Sequence, residues 1–291
     1  MLEYAGKGWL AEIGERGIAL DAVRAHIAAE VDTRIEVIMS TVSADPWFPL
    51  PERGPKGLEL TVAEGTAEVA TYYAERSNGY VVLASNQLKQ LVGDWYVFNE
   101  SAATLRQTGP IDGIEPADVE FVVNSAVLFP TAPDGIRGEI AVTRHPFADV
   151  VQGRVPPRAA PTGPLAHLPV AELEHSVLLD NLLDGLRAGD VRAFLTDDHS
   201  LAVRIDGTYG PKRYECHDGA TSAGALESMF ADVKDLTLLG RITSEWYVFA
   251  EYLARFDISA GNASTRHRRV VAIHPVRDGR FEGTFGYGVD E

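Results

Sequence analysis

The stretch Trp95-Tyr96-Val97-Phe98 recurs as Trp246-Tyr247-Val248-Phe249, and the two starts lie 246 − 95 = 151 residues apart in a chain of 291. A glutamate follows each stretch after one intervening residue. Further landmarks recur in the same order, including an Asp-Gly pair at 134–135 and again at 278–279. Several landmarks in one order indicate a duplicated structural unit, because each copy repeats the same elements.

The repeat predicts the division of the chain. We expect an N-terminal extension over residues 1–18, copy one over 19–151, and copy two over 170–291. The intervening residues 152–169 contain five prolines and two glycines, which is typical of a semi-rigid linker.

Composition limits the classes of partner. The formal net charge is −16, which disfavours a nucleic-acid backbone or an anionic membrane. A single cysteine, Cys216, excludes an intramolecular disulfide and a cysteine metal cluster. The first residues lack the basic and apolar segments of a signal peptide, so a cytoplasmic protein is expected.

Hydrophobic spacing predicts the helices. Apolar residues Val23, Ile27 and Val31 recur at helical spacing and should face a core, as should Leu179 to Leu186 in copy two. A second, shorter helix and three or four strands follow in each copy, and the Asp-Gly pairs are hairpin signals. The predicted class is α+β.

Two stretches of copy two resemble a known family. LRAGDVRAFLTDD (186–198) and VVAIHPVRDGRF (270–281) are similar to the opening and closing motifs of the nuclear transport factor 2-like superfamily, which includes SnoaL-like polyketide cyclases and ketosteroid isomerases. The resemblance implies two cystatin-like, cone-shaped domains, each a bent antiparallel sheet wrapped around helices. Copy one is recognisable mainly through copy two.

Asp206 is the first candidate for chemistry. The resemblance implies a general-base aspartate near this position, and a carboxylate in an apolar pocket can move a proton near neutral pH. The alternative is a turn residue, because Asp206-Gly207 is a good turn dipeptide. His217, Tyr247 and Tyr209 are candidate hydrogen-bond partners in catalysis. A surface loop for His217 and a core position for Tyr247 are the alternatives.

Aromatic residues are the candidate ligand contacts. The WYVFxE strands alternate faces, so one face of each should line a pocket, and the pattern leaves open which one. The candidates are Trp246, Phe249, Trp95, Tyr96, Tyr72 and Trp47. A glutamate in the middle of each strand, Glu100 or Glu251, needs a partner, and Arg268 and Arg269 are available in copy two.

No sequence motif for a metal or a cofactor is found, so neither is expected. The sequence favours a cofactor-independent acid–base enzyme, a lyase, isomerase or cyclase, acting on a small, largely apolar carbonyl compound. A hydrophobic-ligand binding protein without turnover is an alternative. A structural pseudo-dimer of the two copies, with possible further homo-oligomerisation, is another, because the resemblance implies pairing through sheets. Copy two carries the better polar groups and is expected to hold the working pocket.

Overall fold

The computed structural model describes residues 9–32, 34–54, 57–111, 113–116, 119–155, 170–207, 213–258 and 264–290. Most of the predicted linker (156–169) and candidate Tyr209 lie outside these residues. Two compact units are present: Met1–Arg53 with Thr61–Arg158, and Gly54–Leu60 with Ala159–Glu291. The sequence did not predict that the short segment Gly54–Leu60 groups with the second unit.

The elements of residues 9–155 follow the predicted order of helix, strand, helix and long strands. They are α1 (Trp9–Asp32), α2 (Ile35–Met39), β1 (Trp47–Gly54), β2 (Gly57–Glu64), α3 (Gly65–Gly79), β3 (Tyr80–Val92), β4 (Tyr96–Gln107), β5 (Glu120–Ala132), β6 (Gly135–Ile136), β7 (Ile140–Thr143) and α4 (Phe147–Val151). Helix α1 therefore runs across the predicted start of copy one at residue 19.

The second unit repeats this order. Its elements are α5 (Val170–Ala188), a 3-10 turn (Arg192–Phe194), β8 (Leu195–Gly207), β9 (Arg213–Asp218), α6 (Ala220–Met229), β10 (Val233–Thr243), β11 (Tyr247–Ile258), β12 (Ser264–Arg277) and β13 (Arg280–Asp290). Strand β9 was not predicted, since the sequence placed His217 in a loop before the second helix.

The sheets are mostly antiparallel, which confirms the predicted α+β class. In the second unit the strand order is β10-β11-β12-β13-β8-β9, and β13 with β8 is a parallel pair. In the first unit the order is β3-β4-β5-β6, and β7 also pairs with β5. Among the described residues, no helix is long and apolar enough to cross a membrane.

The two repeated stretches build the same turn. Trp95 and Trp246 precede their strands rather than lying within them, which differs from the prediction of strand through both. The backbone N–H of Gly93 donates to the Tyr96 carbonyl, and that of Ser244 donates to the Tyr247 carbonyl, each at 2.9 Å. The two repeated stretches therefore share the same backbone hydrogen bond at this turn.

The Asp-Gly pairs occupy different places in their hairpins. In copy two, Asp278 and Gly279 are the two loop residues, with φ of 53° and 73°, as a type I′ turn requires. In copy one the loop residues are Pro133 and Asp134, and Gly135 already belongs to β6. The predicted hairpin is confirmed in both copies, but the Asp-Gly pair does not fill the same turn positions in the two copies.

Helices cover one face of each sheet. In copy two, Val248, Ala250 and Tyr252 of β11 pack in one cluster with Leu179 and Leu182 of α5. Because strand residues alternate, Tyr247, Phe249 and Glu251 lie on the opposite face. Tyr247 and Phe249 are fully buried there.

The buried stripe of α1 differs from the predicted one. Val23 is buried, but Val31 is 42% exposed, and His26 is completely buried. Glu30 is also buried. The helix is therefore rotated so that polar side chains occupy inward positions that an apolar pattern would not assign to them.

Leu182→Ala should lower the free energy of unfolding by about 2–5 kcal/mol, because it removes a fully buried side chain from the copy-two core. The matched control is Val177→Ala on the same helix, which is 55% exposed and should change stability by less than about 0.5 kcal/mol. Urea denaturation of both variants tests this placement. Equal losses would contradict the assignment of the inward face of α5.

Candidate functional site

Asp206 is held in an ion pair and does not face the helix-lined core. Its carboxylate accepts hydrogen bonds from the guanidinium of Arg204, at 2.7 and 3.2 Å, and from the hydroxyl of Tyr287. Leu201, Val203 and Ile205 of the same strand belong to the helix-side cluster, so Asp206 points to the other face. The pairing places Asp206 in a polar contact on the face of the sheet opposite the helices, which differs from the predicted catalytic base in an apolar pocket.

The other predicted catalytic residues are not gathered around Asp206. His217 pairs with Leu201, five residues along β8 from Asp206, which corresponds to about 17 Å of strand. Tyr247 lies on β11, and β12 and β13 separate that strand from β8. The predicted constellation of Asp206, His217 and Tyr247 is therefore not assembled in the structure.

The predicted aromatic contacts are dispersed as well. Trp95 contacts Tyr96 and Trp246 contacts Tyr247, edge to face, at the two repeated turns. Four of the six candidates are buried: Trp246, Tyr96, Phe249 and Trp47. Trp95 and Tyr72 are partly buried, and Tyr72 lies on α3 beside Tyr73 and Arg76.

The mid-strand glutamates are paired. Glu251 accepts a hydrogen bond from Arg269 at 3.0 Å, as the sequence predicted. Glu100 lies 3.6 Å from the ammonium of Lys89. Both therefore have a structural explanation.

A groove of about 630 Å³ opens where α5 ends and β10 begins. Charged side chains of Arg187, Glu227, Asp232, Lys234 and Asp235 line it. Arg187 already bonds Asp184 and the Leu236 carbonyl, and Glu227 accepts from the Val191 N–H. No residue of the predicted site lines this groove.

Copy two contains a buried chain of polar side chains on the helix side of its sheet. Each member is hydrogen-bonded to the next in the order Tyr252, His274, Thr284, His199 and Ser222. The successive donor–acceptor distances are 2.7, 3.0, 3.1 and 2.9 Å. The hydroxyl of Ser222 donates to the Gly219 carbonyl at 2.8 Å. We call this set the copy-two relay.

The donor of every hydrogen bond in the copy-two relay can be assigned by starting from Ser222 at its end. Because Ser222 donates to a carbonyl, it accepts from Nδ1 of His199, whose Nε2 then accepts from Thr284. Thr284 in turn accepts from Nδ1 of His274, and Nε2 of His274 accepts from Tyr252. Both imidazoles are thus neutral, and each group in the chain is satisfied. Burial lowers the pKa of His199 and of His274 to about 3, in agreement with this assignment.

Copy one contains a charged cluster on the equivalent face. The hydroxyl of Tyr73 donates to Oε2 of Glu139 at 2.8 Å and lies 2.9 Å from Nε2 of His26. Arg76 forms an ion pair with Glu30 at 2.7 Å. We call His26, Glu30, Tyr73, Arg76 and Glu139 the copy-one cluster.

The donors fix the protonation of His26. Thr41 gives its hydroxyl hydrogen to the Ile38 carbonyl at 2.6 Å, so it accepts from Nδ1 of His26 at 2.7 Å. Tyr73 gives its hydrogen to Glu139, so it accepts from Nε2 of His26. With the two hydroxyl hydrogens placed in this way, both ring nitrogens of His26 face oxygens that can only accept, which is the hydrogen-bonding pattern of an imidazolium beside the Glu139 carboxylate.

The pKa values of the two glutamates in the copy-one cluster are shifted in opposite directions. Burial acts to raise the pKa of Glu139, but His26 and the positive charge of Arg76 outweigh burial, so this pKa is lowered. Burial raises the pKa of Glu30 by more than Arg76 lowers it, and the charge of Glu139 raises it further. Two carboxyl groups with pKa values pushed apart are a recurrent arrangement for acid–base catalysis.

Three atoms of the copy-one cluster could also ligate a cation. One ligand atom each from His26, Glu30 and Glu139 lie within 4.8 Å of one another, and all three residues are buried. Binding an ion would require His26 to give up its bond to Tyr73 or Thr41, and Arg76 to leave Glu30. The observed hydrogen bonds therefore fit a charge-balanced cluster better than a metal site.

Sequence reasoning missed the copy-one cluster. The available signal was spacing: His26 and Glu30 are four residues apart on α1, and Tyr73 and Arg76 are three apart on α3, so each pair shares a helix face. The apolar pattern at 23, 27 and 31 directed attention to a neighbouring face. Glu139 precedes β7, and its position in space depends on strand pairing.

Comparison with known proteins gives likeness in fold. The sequence matches no protein-family model and no curated protein. Similar solved structures include a nuclear transport factor 2-like protein from Burkholderia xenovorans (12% identity, TM-score 0.35) and a ketosteroid isomerase-like fold from Catenulispora acidiphila in complex with trimethylamine (18%, 0.36). A third is described as a SnoaL-like polyketide cyclase from Shewanella denitrificans (11% identity, TM-score 0.38).

These three similarities cover 44%, 47% and 47% of this chain and 89%, 94% and 98% of the other chains.

Stability should fall as pH drops from 6.5 towards 3. Unfolding frees His199 and His274 to bind protons at their ordinary pKa near 6.5, whereas the folded protein resists protonation until about pH 3. The unfolded state therefore binds more protons across this window, at about 1.4 kcal/mol per pH unit for each histidine. Urea denaturation at pH 6.5, 5.5 and 4.5 measures the slope.

A double variant, His199→Asn with His274→Asn, should have a shallower slope. His217→Asn serves as the control, because it removes a partly exposed imidazole outside the copy-two relay. An unchanged slope in the double variant would show that other groups cause the acid sensitivity.

Proposed function

We propose that the protein is an acid–base enzyme, of the lyase, isomerase or cyclase type, that acts on a small carbonyl compound at the copy-one cluster. The carrying observation is the Tyr73 hydroxyl, which lies between His26 and Glu139 at 2.9 and 2.8 Å. This arrangement offers a hydrogen-bond donor, an ionised carboxylate and a second carboxyl group with a raised pKa.

Glu139 and Tyr73 are the proposed catalytic residues. A substrate carbonyl oxygen would take the place of Glu139 as the acceptor for the Tyr73 hydroxyl. Burial and the nearby carboxylates raise the pKa of Tyr73 well above its ordinary value, so the phenol stays protonated as a donor. Glu139, released from that bond, would accept the proton adjacent to the carbonyl, and Tyr73 would stabilise the developing oxyanion.

His26 and Glu30 support this chemistry in different ways. His26 donates to the Tyr73 oxygen while Thr41 holds its other nitrogen, so His26 is a positioning residue. Glu30, whose pKa burial raises, is the candidate to return the proton to the product. Its carboxyl oxygen lies within 4.8 Å of the ligand atoms of Glu139 and His26.

Copy two is proposed to act as a structural partner. Its register equivalent of Glu139 is Thr284, because Ile140 pairs with Leu128 as Phe285 pairs with Ile273. A hydroxyl thus stands where copy one has a carboxylate, and the histidines around it are neutral. This reverses the sequence prediction that copy two holds the working pocket.

Solvent exchange tests the proposed reaction without a known substrate. The full-length protein in D2O is mixed with cyclohexanone, 2-cyclohexen-1-one or acetophenone, and NMR follows loss of the proton adjacent to the carbonyl. Glu139→Gln should slow exchange by about 10²–10⁴-fold because it removes the base. Tyr73→Phe should slow it by about 10²–10³-fold because it removes the oxyanion donor.

Asp206→Asn is the control, and exchange should persist in it because Asp206 lies on the other face of the copy-two sheet. Exchange lost in Asp206→Asn but kept in Glu139→Gln would move the active site to copy two. Exchange by the wild type no faster than by buffer, for all three ketones, would overturn the proposal.

A further inference from the structure

We propose that the copy-one cluster binds a carboxylate on the guanidinium of Arg76, and that Glu30 takes up a proton when the carboxylate binds. The inference rests on the proposed function and narrows its substrate to a carbonyl compound that carries a carboxylate.

Arg76 lies at the solvent side of the cluster. Its side chain is 11% exposed and that of Glu30 is 10% exposed, whereas His26 and Tyr73 are completely buried. Three tyrosine rings surround the guanidinium, with centroids 4.7, 5.9 and 6.0 Å from its central carbon: Tyr73, Tyr80 and Tyr72. The guanidinium is therefore flanked by three aromatic rings and keeps a small exposure to solvent.

A guanidinium held in this way suits a carboxylate. The planar guanidinium presents paired N–H donors that match the two oxygens of a carboxylate, and the aromatic contacts reduce the cost of ordering the side chain. In the structure one oxygen of Glu30 lies 2.7 Å from a guanidinium nitrogen of Arg76, as a single ion-pair contact. A ligand carboxylate would compete with Glu30 for the same cation.

The net charge of the cluster stays at zero when a ligand carboxylate enters and Glu30 takes up a proton. His26 and Arg76 are positive, and Glu139 and ionised Glu30 are negative, so the sum is zero. Protonation of Glu30 leaves one excess positive charge, which an incoming carboxylate neutralises. Entry of an anion without a proton would leave a net negative charge in a buried site, which is costly.

Glu30 is prepared for that proton. The charged groups that face it are Arg76 from α3, His26 from its own helix and Glu139 before β7, together with the phenols of Tyr72, Tyr73 and Tyr80. Burial and the Glu139 carboxylate favour the neutral form, and Arg76 is the principal group that favours the ionised form. When a ligand takes Arg76, the main support for an ionised Glu30 is removed.

Calorimetry of the full-length protein tests the inference with benzoate as the probe. Titrations at pH 6.0 and 7.5, each in two buffers of different ionisation enthalpy, should show uptake of up to one proton per benzoate bound. Affinity should rise by up to about tenfold for each pH unit lowered where Glu30 is ionised in the free protein. Benzamide, which has the same ring without the charge, should not bind measurably.

Three variants assign the effect to residues. Arg76→Gln should abolish benzoate binding, whereas Arg24→Gln, on the exposed side of α1, should leave it unchanged. Glu30→Gln should bind benzoate more tightly than the wild type, with no proton uptake and no pH dependence. Weaker binding by Glu30→Gln, or equal binding by Arg76→Gln, would overturn the inference, as would equal affinity for benzoate and benzamide.

The inference and the proposed enzyme can fail separately. Tyr73→Phe should keep benzoate binding while losing ketone exchange, because phenylalanine retains the ring that packs against Arg76 and lacks only the hydroxyl that serves the chemistry. Ketone exchange without benzoate binding by Arg76 would leave the enzyme proposal standing and overturn the carboxylate site. Benzoate binding with proton uptake but no exchange would support the carboxylate site and overturn the catalytic proposal.

Discussion

The register of each sheet is fixed at the tryptophan that opens the repeated stretch. The carbonyl of Trp95 accepts the N–H of Thr131 at 2.8 Å, and the carbonyl of Trp246 accepts that of Val276 at 2.9 Å. The residue before each donor is a proline, Pro130 or Pro275, which pairs with Tyr96 or Tyr247 but has no N–H to give. In both copies the hydrogen bond to the tryptophan carbonyl is therefore donated by the residue that follows the proline. A slip of one residue would turn every side chain of the strand to the other face.

That register decides which polar groups are buried beneath the helices. With Phe98 opposite Leu128, and Leu128 opposite Ile140, the residue before Ile140 must face the helix side. In copy one that residue is Glu139, and α1 and α3 supply His26 and Tyr73 to satisfy it. In copy two the same place holds Thr284, and two neutral histidines satisfy a hydroxyl. The two copies thus bury a polar side chain at the same register position, and that side chain carries a charge in copy one but not in copy two.

The fold could be predicted from the sequence because short local signals specify its elements and occur in both copies. The WYVF stretches, the Asp-Gly hairpins and the leucine spacing of α5 each specify local structure, and two occurrences reinforce one another. The site was a different problem, since its members come from α1, α3 and the start of β7. Their proximity depends on strand register and helix rotation. The apolar spacing at Val23, Ile27 and Val31 indicated a helix correctly but gave its inward face wrongly, because the inward face holds His26 and Glu30.

The same reasoning explains why Asp206 was a persuasive candidate in sequence and not in space. Its neighbours Leu201, Val203 and Ile205 predict a strand beside a core, and an aspartate at the end of such a strand suggests a pocket. Period-two alternation places it instead on the face of Arg204, two residues earlier, where the two charges meet at 2.7 Å. Arg204 is fully buried, so the ion pair satisfies a cation that would otherwise be costly to desolvate. The carboxylate of Asp206 is held by Arg204 and Tyr287 on the face away from the helices, whereas Glu139 and Glu30 lie close together in the copy-one cluster.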